Sequence, residues 1–449
     1  MALHYARKRT NVFYFRGREH VEDHIAGDYF SSLKGHVYLF SDNIADCTSF
    51  LLGILHNVAL DKITIVGCER KYRARYIEDA LGDFDHYIID SKLDLSRAEA
   101  GRLVRKHMSV GLSDIDTTTE KAINKAVSSI AADPISIATC RIQNNFFAFD
   151  KIIKGLIEGS TDSDLRFYAA VGVARYCYAG GVSKDILSSM PSLSRKHSIG
   201  DLYSKFPVQY APGSRDLVVP ARTSVSERVV EVLKERHQEI LEDVITEMAT
   251  ELATRVTRAE IAKRTPASKL AGGLLDFDRV VQKFIDNKAE HFYEAIKDVW
   301  SWNSRYWEQL SLLKLDRYFQ SRNDEALLQE AIQNARYAYS IERHPLSLTT
   351  LAKALFSAVE AGLGDRDTIF AEAFGMISQS IDIEKGWDRL RSTAFFVCFR
   401  GVKQFTGLGG VLTGQQSDDL RDIIAITHAR KLRDRKMIEL REEVLELLR

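Results

Sequence analysis

The first ninety residues of this 449-residue chain alternate between short apolar runs and stretches with helical spacing. The run VYLF at 37–40 is continuous and apolar, which is typical of a strand buried in a parallel sheet. Strand–helix–strand repeats at this spacing predict right-handed crossovers, and so a parallel α/β part over 1–95. Strands are predicted at 11–16, 37–40, 62–66 and 86–89, and helices at 19–33, 46–57 and 72–81.

After this part the helical period dominates, so the chain as a whole is predicted to be mostly α with an N-terminal α/β part. A helical segment is predicted over 96–160, and two long helices, 225–251 and 279–302, are predicted within a connector over 225–303.

Residues 161–224 carry a pattern of their own. One helix ends at Gly180-Gly181, a second begins with Ser183 in capping position, and the apolar run at 217–220 predicts a short strand. Helix, turn, helix and strand in this order are compatible with a winged-helix unit.

The last part, 304–449, is predicted to form an array of paired helices. The second helices of two pairs begin after Asp324 and Asp365, an offset of 41 residues. Alanines recur at helical spacing between larger apolar residues, which is typical of stacked helical hairpins of the TPR-like kind. The pairs are 306–319 with 325–341 and 348–362 with 368–381, and 431–449 is predicted to be a closing helix.

The composition argues against nucleic-acid-binding, membrane-binding and membrane-spanning proteins. Lys+Arg and Asp+Glu both number 62, so no net charge attracts nucleic acid or an anionic membrane, and neither is an expected partner. The five cysteines form no CxxC pair, which fits a reducing compartment and predicts a cytoplasmic protein. No apolar run is long enough to predict a membrane span.

The candidate chemistry lies at the ends of two predicted strands. Asp42 follows VYLFS, where a carboxylate can hold a Mg²⁺ ion that bridges phosphates. Arg70 and Arg73 follow the next strand, where a guanidinium can bind a terminal phosphate. The alternatives are an N-cap role for Asp42 and salt bridges for the two arginines with Glu69, Glu78 or Asp79.

These residues also carry a family resemblance. VYLFSDNIAD and ITIVGCERKYRARYIEDAL resemble the Walker B and sensor-1 strands of STAND NTPases, in particular the prokaryotic branch linked to antiviral defence. LDLSRAEAGRLVRKH is similar to the lid helix, DLRFYAAVGVARYCYAGGVSKDIL to the start of the winged helix, and RYWEQLSLLKLDRY with ERHPLSLTTLAKAL to TPR-like sensor repeats. The resemblance implies ATP and Mg²⁺ as cofactors, Asp42, Arg70 and Arg73 as their ligands, a protein trigger, an effector domain or subunit, and a homo-oligomer.

The chain departs from that family in three places. It contains no GxxxxGKS or GxxxxGKT, so it lacks the phosphate loop. We therefore expect a fragment, a loop on another polypeptide, or a lineage without nucleotide binding. Asn43 replaces the second acidic residue of a hydrolytic Walker B, and Thr223 or Ser224 stands where the family's winged helix offers a histidine. At most a slow ATPase is expected.

Two functional hypotheses follow. The first is a STAND-type switch whose helical repeats sense a trigger. The second is a nucleotide-free scaffold, in which Asp42 and Arg70 are dispensable while Trp307 and Leu351 bind the partner. Trp302 and Trp307 are otherwise expected as core anchors, and His344 as a packing or C-capping residue.

Overall fold

The structure is a computed structural model. It describes residues 11–15, 22–69, 94–110, 119–144, 146–193, 208–211, 213–321, 324–386, 391–429 and 435–448, and single residues at 74, 77, 81, 84, 86, 87 and 89. The backbone divides into two compact units, Met1–Tyr87 with Trp300–Arg449 and Ile88–Val299.

The first unit begins with a three-stranded parallel sheet in the order β1-β2-β3, as the strand–helix alternation predicts. The two crossover helices pack against each other and therefore lie on the same face of the sheet. The elements are β1 (Val12–Phe15), α1 (Asp23–Ser32), β2 (Val37–Asp42), α2 (Thr48–Asn57) and β3 (Ile63–Cys68), with short 3-10 turns at Ile44–Asp46 and Leu60–Lys62.

The fourth predicted strand, 86–89, is wrong for the residues that can be described. Tyr87 and Ile89 are 95% and 85% exposed, and neither they nor His86 belong to a strand. The His86 ring hydrogen-bonds the Phe84 carbonyl oxygen at 2.8 Å, so this side chain makes a local contact. Of the predicted helix 72–81, Ala74, Ile77 and Leu81 are helical, and the other positions lie outside the described residues.

Over 97–110, 119–144 and 146–158, the second unit has four helices in the segment predicted to be helical. A capping box between Ser96 and Glu99 begins the first of them, and Ala100, Val104 and Ile130 lie at the centre of a small core that the first three share. These helices are α3 (Arg97–Ser109), α4 (Glu120–Ile130), α5 (Ile135–Gln143) and α6 (Phe149–Glu158).

A small antiparallel sheet follows in the order β4-β6-β5. Ser183 caps the second helix as predicted, because its hydroxyl accepts the Ile186 N–H at 3.3 Å. The elements are α7 (Asp162–Cys177), β4 (Val182–Ser183), α8 (Lys184–Ser189), β5 (Val208–Tyr210) and β6 (Leu217–Pro220).

The two long connector helices are wrong as single elements. The chain breaks at His237 into α9 (Thr223–Arg236) and α10 (Gln238–Ala253), and both pack against α7 and each other. A single straight helix could not fold back on itself in this way.

The second connector helix, 279–302, is shorter than predicted and has irregular turns before it. Asp276 caps a π turn at Phe277–Val281, where Phe277 and Val281 are buried, and a longer helix begins only at Ala289, after a three-residue helical turn. This region contains α11 (Arg258–Lys263), α12 (Pro266–Leu274), α13 (Gln282–Phe284) and α14 (Ala289–Trp300).

The C-terminal part of the first unit is an array of helices. Two hairpins pack along their length, and Asp324 and Asp365 bond the N–H groups of Ala326 and Thr368. Ala331, Ala335 and Ala338 are fully buried, as their spacing predicts. The helices are α15 (Ser304–Gln320), α16 (Glu325–Ile341), α17 (Pro345–Ala361), α18 (Arg366–Gly386), α19 (Ser392–Gly407), α20 (Gly414–Ala429) and α21 (Arg435–Leu447).

The regular pairing changes at the C-terminal end of the array. α19 packs mainly against α21 rather than against the next helix, α20. α17 is buried on almost every face, and only Lys353 and Glu360 on it are exposed. The array is therefore a stack around a central buried helix.

Candidate functional site

The candidate site is the carboxyl edge of the parallel sheet, where β2 ends at Asp42. The Tyr14 hydroxyl on β1 donates a hydrogen bond to Asp42 Oδ2 at 2.5 Å. Tyr14 lies opposite Phe40 in the register, and side chains two apart on a strand share a face, so the phenol and the carboxylate meet on one side of the sheet. Asp42 is exposed, so a ligand from solvent can reach it.

The chain turns sharply after Asp42. Asn43 adopts a left-handed conformation with φ 54°, and the backbone N–H of Ala45, two residues later, donates to Glu69 Oε2 at 3.0 Å. The N-cap positions of the following helices are Asn43 and Cys47. The capping role considered for Asp42 is therefore wrong, and its carboxylate faces the sheet edge.

Cys68 lies opposite Asp42 in the β2–β3 register. Partial burial of the sulfur and the negative charge of Asp42 raise the pKa of the Cys68 thiol. The thiol therefore stays protonated near neutral pH and is a poor nucleophile.

Arg70 and Arg73 lie outside the described residues, so their phosphate contacts and the alternative salt bridges stay predictions. Over the described ranges, no group of three or more His, Cys, Asp or Glu side chains is placed to hold a metal. Mg²⁺ is commonly bound through one or two carboxylates with phosphate and water oxygens, and one exposed carboxylate fits that donor set.

Tyr14 is the residue that the sequence interpretation missed. Its register position relative to Phe40 and the two-residue period of a strand place it beside Asp42. The signal was therefore available once β1 and β2 were recognised as parallel neighbours.

The two positions expected near a nucleotide, Thr223 and Ser224, lie in the first turn of α9. Arg222 is the N-cap residue and makes no side-chain capping bond, and Thr223 and Ser224 follow it. The Ser224 hydroxyl oxygen is buried and has no hydrogen-bond partner within the described residues.

The two residues predicted to bind a partner differ in exposure. Trp307 is half-buried, donates through Nε1 to the Ser301 carbonyl at 2.8 Å, and meets the exposed Tyr337 ring edge-on at 4.6 Å. Leu351 is 1% exposed and lies in the array core. Leu351 can therefore influence a partner only through the packing of the array.

Trp302 is half-buried, and its ring stacks against that of the fully buried Trp300 at 6.1 Å. The fully buried aromatic side chains nearest to it in the sequence are therefore Trp300 and Tyr306.

His344 is an N-cap, which corrects the prediction of a C-capping role. Its Nδ1 accepts the Leu346 N–H at 3.2 Å at the start of α17. Burial lowers the pKa of His344, and Glu342, Glu308, Arg391 and Arg305 surround it. Only the neutral ring can accept at Nδ1, so capping and burial favour the same form.

We expect the stability of the array to fall as the pH drops below about 6.5, because the unfolded His344 then takes up a proton that the folded ring resists. Above that pH both states are neutral and this contribution is complete. His344→Asn keeps an N-cap acceptor but cannot titrate. Urea unfolding at pH 5 to 8 would test this. The difference in unfolding free energy between the wild type and His344→Asn should shrink as the pH falls. If that difference does not change with pH, His344 does not stabilise the array in this way.

Comparison of the chain with protein-family models, with curated proteins and with solved structures returned no match. Among the helices that can be described, none is both long and apolar enough to cross a membrane.

Proposed function

We propose that this chain is part of a STAND-type nucleotide-dependent switch, of the kind linked to prokaryotic antiviral defence. The observation that carries the proposal is the order of parts along the chain. A parallel sheet with Asp42 at its carboxyl edge comes first, then helices, then a small antiparallel sheet, then a helical array.

The small sheet supports the winged-helix part of this proposal. α7, β4 and α8 precede the hairpin β5–β6, and β6 pairs with both β4 and β5. A winged helix would pair its strands in this order, and the β5–β6 hairpin would then form the wing.

In this switch Asp42 would hold Mg²⁺, and Arg70 and Arg73 would bind the phosphates of ATP. Mg²⁺, when bound, would neutralise phosphate charge. Tyr14 would orient the carboxylate, because hydrogen-bonded partners of metal ligands hold the ligand in place. The array would bind a protein trigger, and an effector domain or subunit would respond within a homo-oligomer.

The test is calorimetric titration of ATP with Mg²⁺ into this chain and into a version extended upstream in its natural reading frame. We expect the extended version to bind and Asp42→Ala to weaken binding by about tenfold or more. Asp61→Ala removes an exposed carboxylate at the other end of the sheet and should leave binding unchanged. If the upstream sequence encodes no phosphate loop and neither form binds, the proposal fails.

A nucleotide-free scaffold is the second candidate, favoured by the Tyr14–Asp42 bond, which gives the carboxylate a partner within the sheet. It predicts that Asp42→Ala and Arg70→Ala retain activity. Under this candidate, Trp307→Ala should weaken partner binding, because Trp307 packs beside the exposed Tyr337.

A further inference from the structure

The helices α3 and α4 carry a local excess of positive charge, although the chain as a whole has a net charge of zero. Together they contain six lysine and arginine residues but only two acidic residues, Glu99 and Glu120. The six basic side chains are all exposed, and they are Arg97, Arg102, Arg105 and Lys106 on α3 and Lys121 and Lys125 on α4. We call α3 and α4 the basic helix pair.

The basic side chains of the pair have no acidic partner. None of the six makes an ion pair or a side-chain hydrogen bond within the part of the chain that the structure describes. By contrast, Arg166 and Arg228 each bind two carboxylates. The Glu99 carboxylate is held in the capping box, where Oε2 accepts the Ser96 N–H at 2.9 Å and the Ser96 hydroxyl at 2.6 Å. The connection 111–118 contains two aspartates and lies outside the described residues.

The positions of these charges do not stabilise the two helices. Arg102 and Lys106 are four residues apart, as are Lys121 and Lys125, so each pair of like charges meets on one helix face and repels. Arg97 and Lys121 lie in the first turn of their helices, where the helix dipole disfavours a positive charge. We therefore expect α3 and α4 to be more stable with neutral side chains at these positions.

The other exposed residues of the pair narrow the class of partner. Neither helix contains Phe, Tyr or Trp, so the pair offers no aromatic anchor for a protein and no platform on which unpaired bases stack. The larger apolar side chains of both helices pack in their shared core, which leaves none to enter a membrane. The exposed Val110 lies beyond the last turn of α3. Between the basic residues, the exposed positions are Ala98, Ser109, Asn124 and Ser128.

We propose that the basic helix pair binds the phosphate backbone of double-stranded nucleic acid without sequence preference. Lysine, arginine, serine and asparagine side chains are the groups that contact phosphates in such complexes. A polyanion neutralises the repelling charges on each helix face and releases its own condensed counterions, which drives binding at low salt. The proposal does not rest on nucleotide binding, because it uses none of the residues assigned to ATP or Mg²⁺.

The test is fluorescence anisotropy of fluorescein-labelled duplexes, one of DNA and one of RNA, titrated with the full chain over about 50 to 200 mM salt. We expect saturable binding of at least one duplex, with equal affinity for a second sequence of the same kind. The logarithm of the binding constant should fall with the logarithm of the salt concentration with a slope of about −4 to −5. Arg102→Gln with Lys106→Gln should weaken binding about tenfold and make the slope shallower by about 2. Lys121→Gln with Lys125→Gln should act in the same way.

A matched control and two competing polyanions complete the test. Lys234→Gln with Arg236→Gln removes one lysine and one arginine from the exposed last turn of α9 and should leave binding unchanged. The calorimetric unfolding midpoint of the α3 and α4 variants should not fall, because each removes a pair of like charges, and this separates binding from a structural role. Absence of duplex binding at the lowest salt, equal loss in the α9 variant, a lowered midpoint that accounts for the loss, or equally tight binding of polyglutamate or phosphatidylserine vesicles would each overturn the proposal.

Discussion

Replacing Arg391 with methionine is expected to lower the unfolding free energy of the helical array by about 3 kcal/mol. The Glu384 carboxylate is 2% exposed, contacts Arg391 Nε and accepts the Arg391 backbone N–H at 2.9 Å. The same guanidinium reaches Thr349 Oγ1 at 3.4 Å. Without the guanidinium, the buried carboxylate loses this counter-ion, and burying it either charged or protonated costs stability.

Tryptophan fluorescence during urea unfolding would measure this effect selectively. All four tryptophans, at 300, 302, 307 and 387, lie in the part of the chain that contains the array. A two-state fit to the unfolding of a protein with two units would combine the free energies of both units. Tryptophan fluorescence avoids this because it reports on one unit.

The matched control is Arg336→Met. Arg336 binds Glu372 through two contacts of 2.8 and 2.9 Å, but Arg336 is exposed and Glu372 only partly buried, so losing the pair should change stability by less than about 1 kcal/mol. A second variant, Glu384→Gln with Arg391→Met, removes the buried charge and should recover much of the loss. Equal effects of Arg391→Met and Arg336→Met would contradict the account.

The sequence was informative where local chemistry decides structure. Asp324 and Ser183 cap helices at predicted positions, because a side-chain acceptor before an apolar period acts within a few residues. The parallel order of β1, β2 and β3 follows from crossover length and handedness, which are also local properties.

Predictions from the sequence failed where tertiary contacts determine the structure. No proline or glycine marks the break at His237, yet α9 and α10 must separate there to pack on α7 together. The apolar run at 86–89 lacks the neighbouring strand that would have paired with it among the described residues.

The residues of the candidate site also fall into those that local sequence predicts and those that it does not. Asp42 lies at the sheet edge that its strand predicts, because parallel strands end together. Its partner Tyr14 depends on the register between two strands, which no single segment specifies. Leu351 lies in a repeat-like motif, and position in a motif does not tell whether a helix is covered on one face or on all of them.

Leu351→Ala is expected to destabilise the array by about 2–5 kcal/mol. The side chain lies on α17 among buried residues from α16, α18 and α19, including Ala335, Phe374 and Phe395. Removing three side-chain carbons there leaves a cavity in a core that packs from every side, so relaxation is limited.

Leu447→Ala is the chemically identical control, because Leu447 is 51% exposed on α21 and should change stability by less than about 0.5 kcal/mol. If a partner is identified, Leu351→Ala should lose binding in proportion to the unfolded fraction, and binding should return at temperatures where the variant is folded. Loss of binding by a variant that stays fully folded by tryptophan fluorescence would show that α17 is uncovered in solution. It would also make Leu351 a contact residue, as the sequence motif suggested.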